Sequence, residues 1–320
     1  MTSPIETQPR RLPEDFDPAR PRRTAWVCAT LALLFALVVA LHGQLPHRGG
    51  ITNVVGTLLP WLWIPALILV VWAVGRRSIV AIVAALVAAG TWCAVCAPYL
   101  LPAGGLASSS NLRVVSQNVQ AENPDTVATV RNLAQQNADL IALQEFSPTQ
   151  RASITDTLNG YRYHYAIQTV GLWSKYPISN QRAMSLGFSW ARAFRADVAT
   201  PSGAVRVYVV HMASVRWNEF AERNLMLANL SAVVRADPSQ RIVMMGDFNA
   251  ASTDPSFQEL SAAAPEARGS SFGFGFTWPS GIGLIRLDHV LLRGVQTHEV
   301  SVLPANGSDH RAVEAQLRIP

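Results

Sequence analysis

The hydrophobic pattern divides the chain into two regimes. Between residues 24 and 100 the only charged side chains are Arg48, Arg76 and Arg77. Beyond residue 110, short apolar runs alternate with polar positions at the periods of strands and helices. The first regime holds three apolar runs, at residues 24–41, 54–74 and 79–100. Each approaches the ~17–25 residues that cross a bilayer as a helix. A cleaved secretory signal fits the first run poorly. Its apolar region should be only ~7–15 residues long, and no clean small-x-small cleavage site follows. Pro60 and Pro65 fall near the start of the second run, and residues 75–78 join it to the third as a tight hairpin. Trp26, Trp61, Trp63, Trp72, Trp92 and Tyr99 lie towards the ends of the runs, where interfacial aromatics sit. Ala81, Ala85 and Ala89 share one face of the third helix and permit close packing.

The second regime predicts strands at residues 112–118, 139–145, 161–167, 170–173, 194–199, 205–211, 241–246, 287–292, 300–303 and 312–317. Helical spacing follows Pro124, with Val127, Val130, Leu133 and Ala134 on one face, and recurs over 148–158 and 215–235. Residues 269–283 are rich in glycine and aromatics and read as irregular. Many strands with a few helices imply one α+β domain, a two-sheet sandwich flanked by helices. The predicted organisation is a polar, Pro/Arg-rich tail (1–23), a membrane domain of three transmembrane helices (24–100), a Pro/Gly/Ser-rich linker (101–110) and a folded domain (111–320).

Charge placement orients this arrangement. The tail carries Arg10, Arg11, Arg20, Arg22 and Arg23, the second short link Arg76 and Arg77, and the first loop only Arg48. The positive-inside rule puts the N-terminus in the cytoplasm. Three crossings then put the folded domain outside. Residues 108–320 contain 18 Arg/Lys and 17 Asp/Glu, so the domain is near neutral although the chain is +5. That excludes the broad basic footprint of a tight non-specific nucleic-acid binder, though not a local basic groove. Cys28, Cys93 and Cys96 all fall in the apolar runs. The folded domain therefore has neither a disulfide framework nor a thiolate metal site, and Cys93-x-x-Cys96 reads as two small membrane residues.

The chemistry is carried by a repeated event: a hydrophobic strand ends on a polar functional residue. It happens at Asn118, Glu145, His211, Asp247 with Asn249, and Asp288, and Ser308-Asp309-His310 precedes the final strand. Strand ends cluster at one rim of a sheet structure, so these side chains can line one cleft. Asp247 and Asn249 are two apart and share a side in extended chain. His289, next to Asp288, points the opposite way and reads as structural. Arg216 and Arg223, seven apart, are either phosphate ligands or a solvated helix face. Trp278-Pro279 is a substrate loop or an irregular turn, and His164 and His298 have no motif around them.

The series Gln117-Asn118, Leu143-Gln144-Glu145, Ser174-Lys175-Tyr176-Pro177, His211, Gly246-Asp247-Phe248-Asn249, Leu287-Asp288-His289 and Ser308-Asp309-His310 resembles the endonuclease/exonuclease/phosphatase superfamily. That group contains DNase I-like nucleases, sphingomyelinases and inositol polyphosphate phosphatases. The resemblance covers about residues 110–320, in the right order, and implies a DNase I-like fold. It implies metal ligation by Glu145 with Asn118 and Asp309. All-oxygen ligands without cysteine suit Mg²⁺, with Mn²⁺ or Ca²⁺ as alternatives. It also implies a His310–Asp288 pair facing the scissile phosphate, Asp247 orienting or deprotonating water, Asn249 holding the phosphate or Asp247, and His211 at the leaving group. His211 matches the DNase I, sphingomyelinase and phosphatase branches. The apurinic-endonuclease branch usually has Tyr there. Met212 departs from the Leu common in the matching branches, a packing change.

The expected function is a membrane-anchored, metal-dependent phosphoesterase acting outside the cytoplasm. Its partners are a phosphate-ester substrate, lipid-linked or a small phosphodiester by preference, and the bilayer; no obligate protein partner is evident. A cell-surface nuclease is the enzymatic alternative. A catalytically dead binding domain would show lesions among the motif residues, and there are none.

Overall fold

The computed structural model describes residues 23–44, 50–121, 123–215 and 220–320. The chain forms two compact units, one of residues up to 40 with 62–95, the other of 41–61 with 96–320. Four helices make up the N-terminal third: α1 (Arg23–Ala40), α2 (Ile51–Leu58), α3 (Trp63–Gly75) and α4 (Ile79–Leu100).

In the first unit, α1, α3 and the start of α4 bury small residues and turn large ones outward. Ala25, Cys28, Ala29, Ala32 and Ala36 meet Leu69, Ala73, Ala81, Ala84, Ala85 and Ala88. Leu34, Ile68, Val71 and Leu86 are exposed. Apolar outside and small inside is how helices pack in lipid. The alanine stripe of α4 runs through Ala81, Ala85 and Ala88, with Ala89 only half-buried. α1 and α4 are each long and apolar enough to cross a membrane. The second apolar run is not one straight helix. It is α2, a 3-10 turn at Leu59–Trp61 and then α3, with a 66° bend at the break. Pro60 sits in that turn and Pro65 in the first turn of α3, where a missing N–H costs nothing. By length and apolarity the described helices offer two candidate spans, or three if the bent pair counts as one.

The second unit contains the predicted α+β domain and, in addition, residues 41–61. Its elements are β1 (Leu112–Asn118), α5 (Thr126–Ala134), β2 (Leu140–Gln144), α6 (Arg151–Thr157), β3 (Tyr163–Ile167), β4 (Val170–Ser174), β5 (Ile178–Met184), β6 (Ala193–Thr200), β7 (Gly203–His211), α7 (Ala221–Ala236), β8 (Ile242–Asp247), α8 (Pro255–Ser261), β9 (Asp288–Arg293), β10 (Gln296–Val302) and β11 (Val313–Arg318). They build a six-stranded sheet ordered β10-β11-β1-β2-β4-β3 and a five-stranded sheet ordered β5-β6-β7-β8-β9. Each sheet has one parallel pair, β1/β2 and β7/β8, closed by a helical crossover through α5 and α7. All other pairs are antiparallel.

Alternation along the strands makes the layers. Val114, Leu140, Ala142 and Leu172 face Val207, Val209, Val243, Met245 and Val290 in a core between the sheets. The intervening residues face out. Val115, Ile141 and Leu143 pack with Val130 and Leu133 of α5; Tyr208, Met244 and Leu291 pack with Met226, Leu230 and Phe257 of α7 and α8. Burying both faces of the central strands explains the nearly continuous apolar runs of β2, β7 and β8.

Candidate active site

The register brings the site together. Across β7, β8 and β9, His211 stands opposite Asp247 and Asp247 opposite Asp288. Directly opposed residues project from the same face. Here that face is the inter-sheet one, two residues beyond Val209, Met245 and Val290. In the other sheet Asn118 ends β1 beside Gln144 of β2. The polar rim is thus the continuation of the core past the last apolar layer.

Two residues need more than alternation. Glu145 would follow Ile141 and Leu143 to the outer face, but its φ is +62°. That left-handed turn re-aims the carboxylate, and its Oε1 lies 3.2 Å from His211 Nε2. Asn249, with φ +48°, turns back on Asp247: its N–H donates to Oδ1 at 2.8 Å and its Nδ2 to Oδ2 at 3.3 Å. Such conformations in non-glycine residues cost ~1–3 kcal/mol and persist where surrounding contacts hold them. Gly246 makes the approach possible. Its φ is +148°, and a Cβ there would stand 1.9 Å from Val210 O.

The groups form one buried network. His310 Nδ1 is 2.8 Å from Asp288 Oδ2, and its Nε2 is 3.9 Å from Asp247 Oδ2. Asn118 Nδ2 donates to Asp247 Oδ2 at 3.0 Å. The loop carrying His310 is tied to β1, since Ser308 Oγ donates to Asn118 O at 2.7 Å and Gln117 Nε2 to His310 O at 2.8 Å. Burial works against a charged His310, but Asp288 and Asp247 outweigh it and raise the imidazole to about 10. For Asp247 burial dominates: with Asp288 close by, its carboxyl is raised despite His310, His211 and Asn118. Burial also opposes ionisation of Glu145, yet hydrogen bonding to His211, Asn118 and the Ala121 N–H brings it down to about 2.

Could these residues hold a cation? Ligand atoms of Glu145, His211 and Asp247 lie within 4.8 Å of one another, as do those of Asp247, Asp288 and His310. Among the described residues, Asp309 Oδ1 is buried without a hydrogen-bond partner, while its Oδ2 accepts from Trp278 Nε1 at 3.3 Å. Asn118 Oδ1 accepts the Gln120 N–H at 2.9 Å and keeps its second lone pair. An orphaned carboxylate oxygen in a cleft also lined by Glu145 and Asp247 is what a hard divalent cation satisfies. The donor set therefore fits one.

A cleft of about 500 Å³ reaches these groups, with Glu145, Asp247, Asn249, Asp309 and His310 in its lining. A groove of about 590 Å³ near Arg182 and Asn229 carries none of them. All eight predicted site residues belong to this network or cleft. The weaker candidates resolve as well. His289 is buried between Glu266 Oε1 (2.7 Å) and Ala250 O (2.9 Å), as a structural residue. Arg223 is no free phosphate ligand: it pairs with Asp254 at 2.8 Å and donates to Asn249 O at 2.8 Å. Arg216 lies outside the described residues. Met212 is buried packing whose carbonyl accepts from Asn249 Nδ2 at 3.1 Å. Trp278 lines the cleft.

Sequence reasoning missed Arg192, whose Nη2 lies 2.9 and 2.8 Å from the two ring nitrogens of His211 and whose Nε donates to His211 O at 3.1 Å. It precedes β6 and sits in no motif, so nothing local marks it. Gln120 was missed too, although it binds Asn118 through its N–H and accepts the Asp309 N–H at 3.3 Å.

The sequence profile of the Endonuclease/Exonuclease/phosphatase family matches residues 115–310, more than half the chain. The chain belongs to this family. Solved structures agree in fold. Beta toxin from Staphylococcus aureus with bound magnesium ions aligns with a TM-score of 0.54 at 15% identity, over 65% of this chain and 99% of that one. The endonuclease/exonuclease/phosphatase from Bacteroides vulgatus gives 0.54 at 14%, over 65% and 99%. The 3′ phosphatase NExo from Neisseria, bound to a product DNA hairpin, gives 0.52 at 18%, over 64% and 98%. A comparison with curated proteins finds no match.

Proposed function

We propose that this family member is a membrane-anchored, divalent-metal-dependent phosphoesterase acting outside the cytoplasm. The observation that carries the chemistry is the row His211–Asp247–Asp288 in register, with His310 paired to Asp288 at 2.8 Å. Glu145, Asn118 and Asp309 would hold the cation, Mg²⁺ by donor type. When bound, it supplies charge neutralisation for the phosphate and the developing leaving oxygen. His310, charged and oriented by Asp288, donates to a non-bridging phosphate oxygen and stabilises the pentavalent charge. Asp247, with raised proton affinity and three N–H donors around it, positions the attacking water and takes its proton. Asn249 holds Asp247 rather than the substrate. His211, braced by Arg192 and Glu145, stands where the ester oxygen departs. Water adds to phosphorus, the ester P–O bond breaks, and the proton taken by Asp247 balances the one the alcohol gains.

Two or three spans with a cytoplasmic N-terminus are the topologies open to the apolar helices, and the arginine asymmetry favours three, hence an external domain. A lipid-linked or small phosphodiester suits a near-neutral domain better than nucleic acid. The nuclease alternative predicts activity that falls steeply as salt rises. Glu145→Ala and His310→Ala should each lower turnover of bis-p-nitrophenyl phosphate with Mg²⁺ by at least ~10²-fold, with the fold intact by circular dichroism. Retained turnover in both variants sinks the assignment.

A further inference from the structure

α2 lies outside the family's matched residues 115–310, yet it belongs to the same compact unit as the catalytic network. Polar contacts hold it there. Asn53 Nδ2 donates to both Asp254 oxygens, at 3.0 and 3.2 Å, and Asn224 Nδ2 donates to Asn53 Oδ1 at 3.1 Å. Thr253 Oγ1 donates to Gly56 O at 2.6 Å. Gly56 has no room for a side chain, since a Cβ would meet Thr253 O at 2.9 Å. At the end of the following turn, Trp61 Nε1 donates to Leu284 O at 2.8 Å and its ring stacks on Phe276. This is a fixed wall, not a helix resting on a surface.

The docked face is polar, and the face it leaves free is apolar. Val54 and Leu58, one helical turn apart, line the catalytic cleft together with Phe220, Ile285 and Leu287. Val54 and Leu58 remain 38% and 46% exposed. Apolar side chains standing open beside carboxylates and an imidazolium make an amphipathic cleft. A nucleic-acid strand would want cations there. Among the described residues, the arginine in the lining, Arg223, is already committed to Asp254 and Asn249. The chain runs from Trp61 through Leu62 into the apolar helix α3.

We propose that α2 is a substrate-binding wall, and that Val54 and Leu58 receive the apolar tail of a lipid phosphate ester whose head group enters the catalytic network. The head-group half of this statement rests on the phosphoesterase reading; the tail half does not. Full burial of one methylene is worth about 0.8 kcal/mol, about fourfold in affinity. A one-sided wall covers about half of each methylene, hence about twofold apiece and about 30-fold over five.

The test is binding of methyl phosphate and hexyl phosphate to the full chain in nanodiscs with Mg²⁺, followed by ³¹P NMR, alongside turnover of the methyl and hexyl p-nitrophenyl phosphodiesters. The wall predicts hexyl phosphate binding about 30-fold tighter than methyl, and a ratio below about threefold in Val54→Asn/Leu58→Asn. Leu225→Asn, on exposed apolar surface of α7 away from the cleft, should keep the native ratio. Equal affinities in the native protein overturn the proposal, as does a ratio untouched by the double substitution. A thymidine dinucleotide that binds more tightly than hexyl phosphate overturns it in favour of nucleic acid. Turnover without chain-length preference removes the wall and leaves the hydrolase. Preference without turnover supports the wall and removes the hydrolase.

Discussion

Replacing Asp288 by Asn should convert the pH dependence of the proposed hydrolysis, not simply weaken it. Asp288 is fully buried and is the main source of His310's raised proton affinity. An imidazole at about 10 instead of 6.5 is favoured in its charged form by roughly 5 kcal/mol. Burial acts in the opposite direction and Asp247 still supports the charge, so without the Asp288 carboxylate His310 should fall back towards its ordinary 6.5. At pH 8 the charged fraction would then fall from nearly all to about 3%, and at pH 6 only to about three-quarters. If charged His310 is what meets the phosphate, kcat/KM of Asp288→Asn is down about 30-fold or more at pH 8, and most of that loss is regained at pH 6.

The assay is hydrolysis of bis-p-nitrophenyl phosphate across pH 5.5–9 at saturating Mg²⁺, with the variant-to-native ratio as the readout. A structural role for the pair would lower the ratio equally at every pH. A ratio that does not climb as pH falls refutes the reasoning, whatever the absolute loss. His310→Gln should remove the recovery, because no titrating group then remains at that position.

Gly246→Ala forces a Cβ into Val210 O and a side chain into φ +148°. Strain of ~1–3 kcal/mol from the dihedral and ~1–3 kcal/mol from the shifted backbone should add to a large loss of stability, read by pulse proteolysis. Glu266 is buried with His289 and Arg286, which overcome the burial penalty and hold its carboxyl at about 2 rather than 4.5. Its folded-state value is depressed, so its contribution of roughly 3 kcal/mol is present above about pH 4.5 and is lost as pH falls towards 2. Thermal melts between pH 6 and 3 should show a shallower decline for Glu266→Gln than for the native chain; parallel curves would contradict the pairing. Ser179→Cys, exposed on β5, should react with an impermeant maleimide from outside intact cells in a background lacking Cys28, Cys93 and Cys96. Labelling only after lysis would invert the topology.

The convergence of the candidate site residues was legible because most of them obey the strand period. Val209-His211, Met245-Asp247 and Val290-Asp288 are each one alternation apart, so placing the strand also places the functional group. Glu145 and Asn249 were legible only through their motifs. Alternation alone aims Glu145 outward, and the left-handed φ that brings it back is a local choice no periodicity encodes. Arg192 was illegible for a different reason: it reaches His211 across a strand pair, and that contact is created by register. The strand β5 escaped because Ile178–Met184 is mostly solvent-facing and lacks the apolar alternation of its neighbours.

The least legible feature is the boundary. Hydropathy assigns residues 54–74 to one span, because Val54, Leu58, Leu59 and the residues of α3 are equally apolar. What separates them is where each apolar side chain goes. Leu67, Ile68, Val71 and Val74 of α3 stand open around an interior of Leu69 and alanines, as in a lipid-facing helix. Val54 and Leu58 of α2 stand open in the cleft that Glu145, Asp247 and His310 also line, while Asn53 and Gly56 dock on Asp254 and Thr253. Asp254 also holds Arg223, which donates to the carbonyl of Asn249, the residue that positions Asp247. Thus α2 is three hydrogen-bonded steps from Asn249, by way of Asp254 and Arg223. The first part of an apolar run that hydropathy gives to the bilayer therefore belongs, by its contacts, to the unit that holds the candidate site.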